Sequence, residues 1–171
     1  CLPDLIEKTL QMCRKESEKI SMLFAQKQSS YFIGRNTDFP AAMEGALKMK
    51  EISYIHCEAY AAGELKHGTI SLIEQGTAVV AVMTNSAVFS KAYSNVKEVQ
   101  SRGAKVIFIV KKSDAYLLKD EDSVITVEDC DDIFSAALSA IPMQLISYYT
   151  AKLRGCDIDK PRNLAKSVTV E

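Results

Sequence analysis

Residues 77–83, Thr-Ala-Val-Val-Ala-Val-Met, are the stretch that decides the fold. The run is nearly continuous in apolar residues, whereas a strand with one face in water alternates apolar and polar side chains. It therefore predicts a strand buried on both faces, which is typical of a parallel sheet covered by helices on each side. Residues 105–110 form a second such run, and residues 30–33 and 123–127 are shorter candidate strands.

Helical segments alternate with these strands along the chain. They are predicted at residues 3–26, from Pro40 through the charged segment that follows it, at 58–66, from a cap at 84–86 to about 101, and at 132–154. The alternation predicts an α/β three-layer sandwich, with a mostly parallel sheet flanked by helices as in Rossmann-like and flavodoxin-like folds. Ligands of such folds bind beyond the carboxyl ends of the strands, here residues 34–39, 84–86 and 111–115.

Composition narrows the classes of function. The chain has 171 residues, 47% of them hydrophobic, which suits one domain with a sizeable core. Its net charge is −1 with no basic patch, and no apolar run reaches membrane-spanning length, so we expect neither a nucleic-acid partner nor a membrane. Five scattered cysteines and two histidines favour a reducing, cytoplasmic protein without a metal site or another cofactor.

Three charged residues share one narrow face of the helix that follows Pro40. At 100° per residue, Glu44, Lys48 and Glu51 fall at about 0°, 40° and −20°. On the pattern alone they are most simply ordinary helix pairs, worth ~0.2–0.5 kcal/mol each. Apolar residues border the stripe on both sides, however, whereas a solvated helix face is wider and more polar. Charges confined to such a narrow band therefore indicate that this face of the helix forms the wall of a cleft.

Two long motifs surround this stripe. One comprises Gly34-Arg35, Pro40, residues 44–54, Glu-Gly-Ala-Leu-Lys-Met-Lys-Glu-Ile-Ser-Tyr, and residues 58–68, Glu-Ala-Tyr-Ala-Ala-Gly-Glu-Leu-Lys-His-Gly. The other is residues 161–171, Pro-Arg-Asn-Leu-Ala-Lys-Ser-Val-Thr-Val-Glu. Together they resemble the sugar isomerase (SIS) domain in the carboxyl-terminal half of the glutamine–fructose-6-phosphate aminotransferase family. The resemblance covers residues 30–171.

The resemblance implies the conversion of fructose 6-phosphate, with ammonia from glutamine, into glucosamine 6-phosphate. It implies that Lys166 forms a Schiff base with the open-chain ketose and that Glu51 moves a proton between the first two sugar carbons. His67 is implied in ring opening, in the site of a neighbouring subunit. These residue types suit the chemistry, because a protonated imine acidifies the adjacent proton, a carboxylate can carry it, and histidine exchanges protons near neutral pH.

The resemblance places Glu44, Lys48 and Arg162 in the surrounding substrate-binding shell. Lys48 lies one turn from both glutamates and could hold the base ionised. Without the resemblance, His67 would be a favourable charge at a helix end and Lys166 a solvated lysine. The segment 84–86, Thr-Asn-Ser, is interpreted as a helix cap, since the family places the sugar phosphate on a Ser/Thr-rich loop of its other SIS half.

The resemblance also predicts an organisation: residues 1–29 as a helical lead-in from a preceding half, 30–155 as the SIS domain and 156–171 as a catalytic tail. A glutaminase domain and a first SIS half are expected outside this chain, so the isolated chain is expected to fold but to turn over little substrate. The expected partners are a sugar phosphate and a second copy in a homodimer.

Two other functions remain open at this point. One is a non-catalytic SIS module that senses a sugar phosphate, and the other is a related deglycase. The coexistence of Glu51, His67 and Lys166 favours an enzyme over a sensor, because a sensor has no need of all three groups. The tail at residues 159–171 favours the aminotransferase over the deglycase.

Overall fold

A computed structural model describes residues 1–164 of the chain. Its strands are β1 Ser29–Gly34, β2 His56–Ala61, β3 Ala78–Met83, β4 Lys105–Lys111 and β5 Val124–Val127. Its α-helices are α1 Leu2–Phe24, α2 Asp38–Ser53, α3 Phe89–Gln100 and α4 Ser135–Leu153. Short 3-10 helices cover Ala62–His67, Thr69–Leu72, Ser86–Val88 and Lys112–Leu118. The five strands form one sheet in the order β2-β1-β3-β4-β5, and every neighbouring pair is parallel.

Strand β3 lies in the middle of this sheet, and all six of its residues are buried. Val80 and Val82 point into a core formed with α1, α2 and α4, whereas Val79 and Ala81 point into a second core formed with α3 and the 3-10 segments. Side chains alternate between the two faces of a strand, so two covered faces require the uninterrupted apolar run. The predicted α/β three-layer sandwich is therefore confirmed.

The predicted helix at residues 58–66 is wrong over its first four residues, 58–61, which are extended. Residues His56–Ala61 are an edge strand paired in register with β1, from Ser29 opposite His56 to Gly34 opposite Ala61. Helical backbone begins only at Ala62, as a 3-10 turn. Glutamate and alanine favour helices on intrinsic propensity, but pairing with β1 and packing against α2 outweigh a preference of a few tenths of a kcal/mol per residue, about the size that propensity scales give.

Helix α2, which carries the charged stripe, begins at Asp38 and so has Pro40 in its first turn as predicted. It ends at Ser53, where Tyr54 turns left-handed with φ 61° and donates its backbone N–H to the carbonyl of Lys50. Gly45 lets this helix approach its neighbours closely, since a Cβ there would lie 2.2 Å from Met143 Sδ of α4. The backbone of α2 therefore packs at Gly45 directly against the Met143 and Phe32 side chains.

Helix α1 packs against α4 and contributes Cys13, Ile20 and Phe24 to the same core as α2. The predicted helices at 3–26 and 132–154 are confirmed, with ends that differ by a few residues. Within residues 1–164, no helix combines the length and the apolar character needed to cross a membrane.

Candidate functional site

The charged stripe of α2 is an ion-pair network in the structure. Lys48 Nζ lies 2.5 Å from Glu51 Oε2 and 3.8 Å from Glu44 Oε1. The Lys48 and Glu51 side chains are 31% and 27% exposed, so the pair is partly shielded from water but open to a ligand. The hydrogen bond to Glu51 raises the pKa of Lys48, which keeps the ammonium protonated. The structure therefore brings these three predicted residues together around one cation.

An open cavity of about 650 Å³ lies beside this stripe, between α2 and the edge strand β2. Its lining residues come from both elements: Pro40, Met43, Glu44, Ala46, Leu47, Lys50, Glu58, Ala59 and Tyr60. Glu44 belongs to that lining, so one member of the stripe does form a cleft wall. Lys48 and Glu51 lie outside the lining, one and two turns further along the helix.

The opposite wall contains a polar group that sequence reasoning missed. Tyr60 Oη donates a hydrogen bond to Glu58 Oε2 at 2.5 Å, and His56 Nε2 lies 3.3 Å from Glu58 Oε1. The tyrosine hydroxyl lowers the pKa of Glu58, and the carboxylate in turn raises the pKa of Tyr60. These residues occur at every second position of β2, a period-two signal that the helix interpretation of this segment concealed.

Arg162 reaches the far end of α2. Its backbone N–H donates to Tyr54 Oη at 2.9 Å, and its guanidinium carbon lies 4.1 Å from the centre of the Tyr54 ring, a cation–π distance. Tyr54 follows Glu51 by three residues, about one helical turn. The segment before the C-terminus therefore returns to the end of the helix that bears the predicted base.

The local contacts of His67 are separate from the ion-pair network on α2. It ends the 3-10 turn after β2, its side chain is 73% exposed, and its Nε2 lies 3.7 Å from Glu64 Oε2. Lys166, the predicted Schiff-base lysine, lies outside the described residues. In the described part of the chain, no three His, Cys, Asp or Glu side chains form a group that could hold a metal ion.

The carboxyl ends of the strands contain a second polar cluster, centred on Asp38. Its carboxylate is fully buried and accepts hydrogen bonds from Thr84 and Asn85, which directly follow β3. Burial raises the pKa of Asp38, and these hydrogen bonds act in the opposite direction. Asn85 also caps the next turn, since its side-chain oxygen accepts from the backbone N–H of Ala87 at 3.1 Å. The cap predicted at 84–86 is therefore confirmed for the 3-10 turn Ser86–Val88, whereas α3 begins only at Phe89, with Val88 at its N-cap and no side-chain capping hydrogen bond.

Comparison with known proteins assigns the class. The family model for the SIS domain matches residues 22–154, and the chain belongs to the SIS domain family.

Its relatives point to one kind of SIS protein. The chain is 50% identical over 170 residues to a glutamine–fructose-6-phosphate aminotransferase (isomerizing) of Clostridium acetobutylicum, covering 99% of this chain and 28% of that protein. It is 51% identical over 148 residues to the protein of the same name from Methanosarcina acetivorans, covering 86% of this chain and 24% of that protein. The chain thus spans about a quarter of the length of these curated relatives.

Two solved structures share the fold of this chain, and the first is an aminotransferase domain. The C-terminal domain of glucosamine-fructose-6-phosphate aminotransferase from Francisella tularensis is 39% identical, with a TM-score of 0.88 over 93% of this chain and 44% of that chain. A glucosamine-6-phosphate deaminase from Thermotoga maritima is 30% identical, with a TM-score of 0.78 over 98% of this chain and 48% of that chain. The chain is therefore similar to the isomerase C-terminal half of the aminotransferases.

Proposed function

We propose that this chain supplies the isomerase half of a glutamine–fructose-6-phosphate aminotransferase, in which a ketose phosphate becomes an aldose during formation of glucosamine 6-phosphate. One observation carries the proposal. Lys48 is held between Glu44 and Glu51, 2.5 Å from the latter, in a chain that is 50% identical over 99% of its length to an aminotransferase of that name.

Glu51 is the proposed proton carrier. Isomerisation removes a proton from one sugar carbon and returns it to its neighbour, and one carboxylate suited to both steps accelerates such transfers by typically ~10²–10⁴-fold. Lys48 supplies a cation 2.5 Å from Glu51 Oε2 that orients this carboxylate, and the raised pKa of Lys48 keeps that charge in place. Glu44 is proposed to orient Lys48 from the opposite side, at the longer distance of 3.8 Å.

Lys166 is the proposed electrophilic partner of this base. Its amine would add to the ketose carbonyl and form an imine with loss of water, and the protonated imine would withdraw electrons from the carbon that gives up its proton. Arg162, four residues earlier in the chain, contacts Tyr54 at the end of α2. That contact supports the proposal, because it brings the approach to the tail close to the helix that bears Glu51.

His67 is proposed to assist ring opening in the site of a second subunit. Its side chain is 73% exposed on a turn that follows the edge strand, a position from which a neighbouring molecule can be reached. We therefore propose a homodimer.

The division into residues 1–29, 30–155 and 156–171 remains a prediction. The five free thiols support a proposed location in the reducing cytoplasm.

A chimera tests the proposal. The matching 170-residue segment of the Clostridium acetobutylicum relative is replaced by this chain, and formation of glucosamine 6-phosphate from fructose 6-phosphate and glutamine is measured. We expect an active chimera and complete loss of synthesis in its Lys166→Ala variant. A folded chimera without activity, or an active Lys166→Ala variant, would contradict the proposal.

The deaminase relative defines a second assay. If the chimera releases ammonia from glucosamine 6-phosphate without glutamine-dependent synthesis, a deaminase-type function would replace the aminotransferase. Binding of sugar phosphate without either reaction would favour the sensing module, and activity on amino-sugar adducts alone would favour the deglycase. The isolated chain is expected to show little turnover of fructose 6-phosphate to glucose 6-phosphate, and robust turnover would contradict that expectation.

A further inference from the structure

Asp38 lies at the place in the sheet where folds of this type offer a ligand crevice. In the strand order, β2 lies next to β1 towards one edge of the sheet, whereas β4 and β5 follow β3 towards the other edge. The chain therefore runs from β1 towards one edge and from β3 towards the opposite edge. The carboxyl ends of the neighbouring strands β1 and β3 therefore form the topological switch point, the usual binding crevice of an open parallel sheet. Asp38 follows the loop after β1, and Thr84 and Asn85 follow β3.

The donors at this switch point are the kind that bind an oxyanion. Thr84 and Asn85 each donate a backbone N–H to Asp38 Oδ2 at 3.0 Å, and the Thr84 hydroxyl donates to Asp38 Oδ1 at 2.6 Å. Backbone N–H groups at the end of a strand, with a hydroxyl beside them, are a common phosphate cradle in α/β proteins. In this chain one carboxylate accepts all three hydrogen bonds.

This carboxylate is enclosed by the fold. Asp38 and Thr84 are fully buried, and Asn85 is 4% exposed. The Thr84 hydroxyl also lies 3.2 Å from the Ser139 hydroxyl of α4, and the Asn85 amide donates to Thr37 Oγ1 at 2.8 Å. A phosphate at the same donors would therefore have to displace the carboxylate from a packed site, or lie against it in a medium of low dielectric where like charges repel strongly.

We infer that Asp38 acts as an internal anion that fills the switch point of this domain and excludes phosphate and other oxyanions from it. Its carboxyl group takes the place that a ligand takes in other sheets of this kind, and it ties the first turn of α2 to the end of β3. The inference concerns anion binding alone and does not depend on the proposed function.

Titration with inorganic phosphate tests the inference on the ¹⁵N-labelled 171-residue chain, with sodium chloride added to matched ionic strength. The readout is the amide signals of Thr84 and Asn85. In the native chain these signals should not shift with phosphate. In Asp38→Ala, which frees all three donors, they should shift and saturate. Asp157→Ala is the matched control, since Asp157 is an exposed carboxylate that also accepts two backbone N–H groups.

Each result decides the matter. Saturable shifts of Thr84 and Asn85 in the native chain would overturn the inference, and so would a folded Asp38→Ala chain that binds no phosphate there. If Asp38→Ala is unfolded in chloride, phosphate should shift it towards the folded state, because a ligand that binds only the native form stabilises it. Failure of phosphate to raise its unfolding midpoint more than that of the native chain would likewise overturn the inference.

Discussion

Lys48 Nζ lies 2.5 Å from Glu51 Oε2, three residues along the same helix, and the two side chains are about two-thirds shielded from water. A pair at this spacing on an open helix surface contributes only ~0.3–0.5 kcal/mol to stability. A chain gains little in folding from placing Glu44 on the other side of the same cation, 3.8 Å away. We propose that the arrangement positions the Glu51 carboxylate for proton transfer.

Removal of the cation should therefore affect activity far more than stability. In the chimera, Lys48→Met should lower glucosamine 6-phosphate synthesis by about tenfold or more, since it removes a cation placed to orient Glu51 and to stabilise negative charge that develops during proton transfer. A tenfold change in rate corresponds to ~1.4 kcal/mol of transition-state stabilisation. The free energy of unfolding should change by less than ~1 kcal/mol. The matched control is Lys19→Met, which removes the cation of an ion pair with the same three-residue spacing on α1. Equal activity of the two variants would contradict the assignment of Lys48.

Gly45 is predicted to be required for the packing of α2. A Cβ at this position would lie 2.2 Å from Met143 Sδ and 3.0 Å from the Phe32 ring. Gly45→Ala should therefore destabilise the chain by about 1–3 kcal/mol in urea unfolding, although alanine is the better helix former by ~1 kcal/mol. The substitution should cost less in a Met143→Ala background, which removes the closest atom. A Gly45→Ala chain more stable than the native one would show that the contact with Met143 does not restrict the residue at position 45.

Two buried thiols predict a loss of stability at alkaline pH. Burial raises the pKa of Cys13 and of Cys57 to about 11, from an ordinary value of 9.0. Between these values the unfolded chain releases protons that the native chain retains, so the free energy of unfolding should fall as pH rises from 9 to 11, by on the order of 2 kcal/mol for each thiol and about 4 kcal/mol for the two together. Unfolding in urea at several pH values measures this slope.

The control for that slope is a chain with Cys13→Ala and Cys57→Ser, in which the serine can keep a hydrogen bond to Ser30. Its stability should depend less on pH in this range.

The same burial predicts the reactivity of the thiols. At neutral pH, an alkylating reagent should modify the exposed Cys1 well before Cys13 or Cys57, and all five thiols only after unfolding. Rapid modification of Cys57 in the native chain would contradict its burial.

Local patterns made much of this molecule predictable from sequence. Burial of both faces can be predicted from the residues of β3 alone, because the side chains on each face are apolar. The stripe of Glu44, Lys48 and Glu51 was equally predictable from the sequence, since the helical period alone places the three residues on one face. Neither conclusion requires knowledge of which distant segments meet.

The features that escaped prediction depend on long-range pairing. Edge strand β2 is held by its register with β1 and contains residues that favour helices, so its intrinsic preferences point the wrong way. Asp38 meets Thr84, 46 residues away, only because β1 and β3 are neighbours in the sheet. No periodicity along the chain records that adjacency. The Glu58–Tyr60 pair was missed for the same reason as the strand that carries it.

The most direct measurement of the central claim compares two glutamate variants of the chimera on the same helix. Glu51→Gln keeps the size of the side chain but removes its ability to carry a proton, and it should lower glucosamine 6-phosphate synthesis by about 10²-fold or more. Glu44→Gln removes the charge of the weaker contact to Lys48, keeps the size of a side chain that lines the cavity, and should reduce the rate by less than about tenfold. A Glu51→Gln chimera that is folded and as active as Glu44→Gln would contradict the role of Glu51 as the proton carrier.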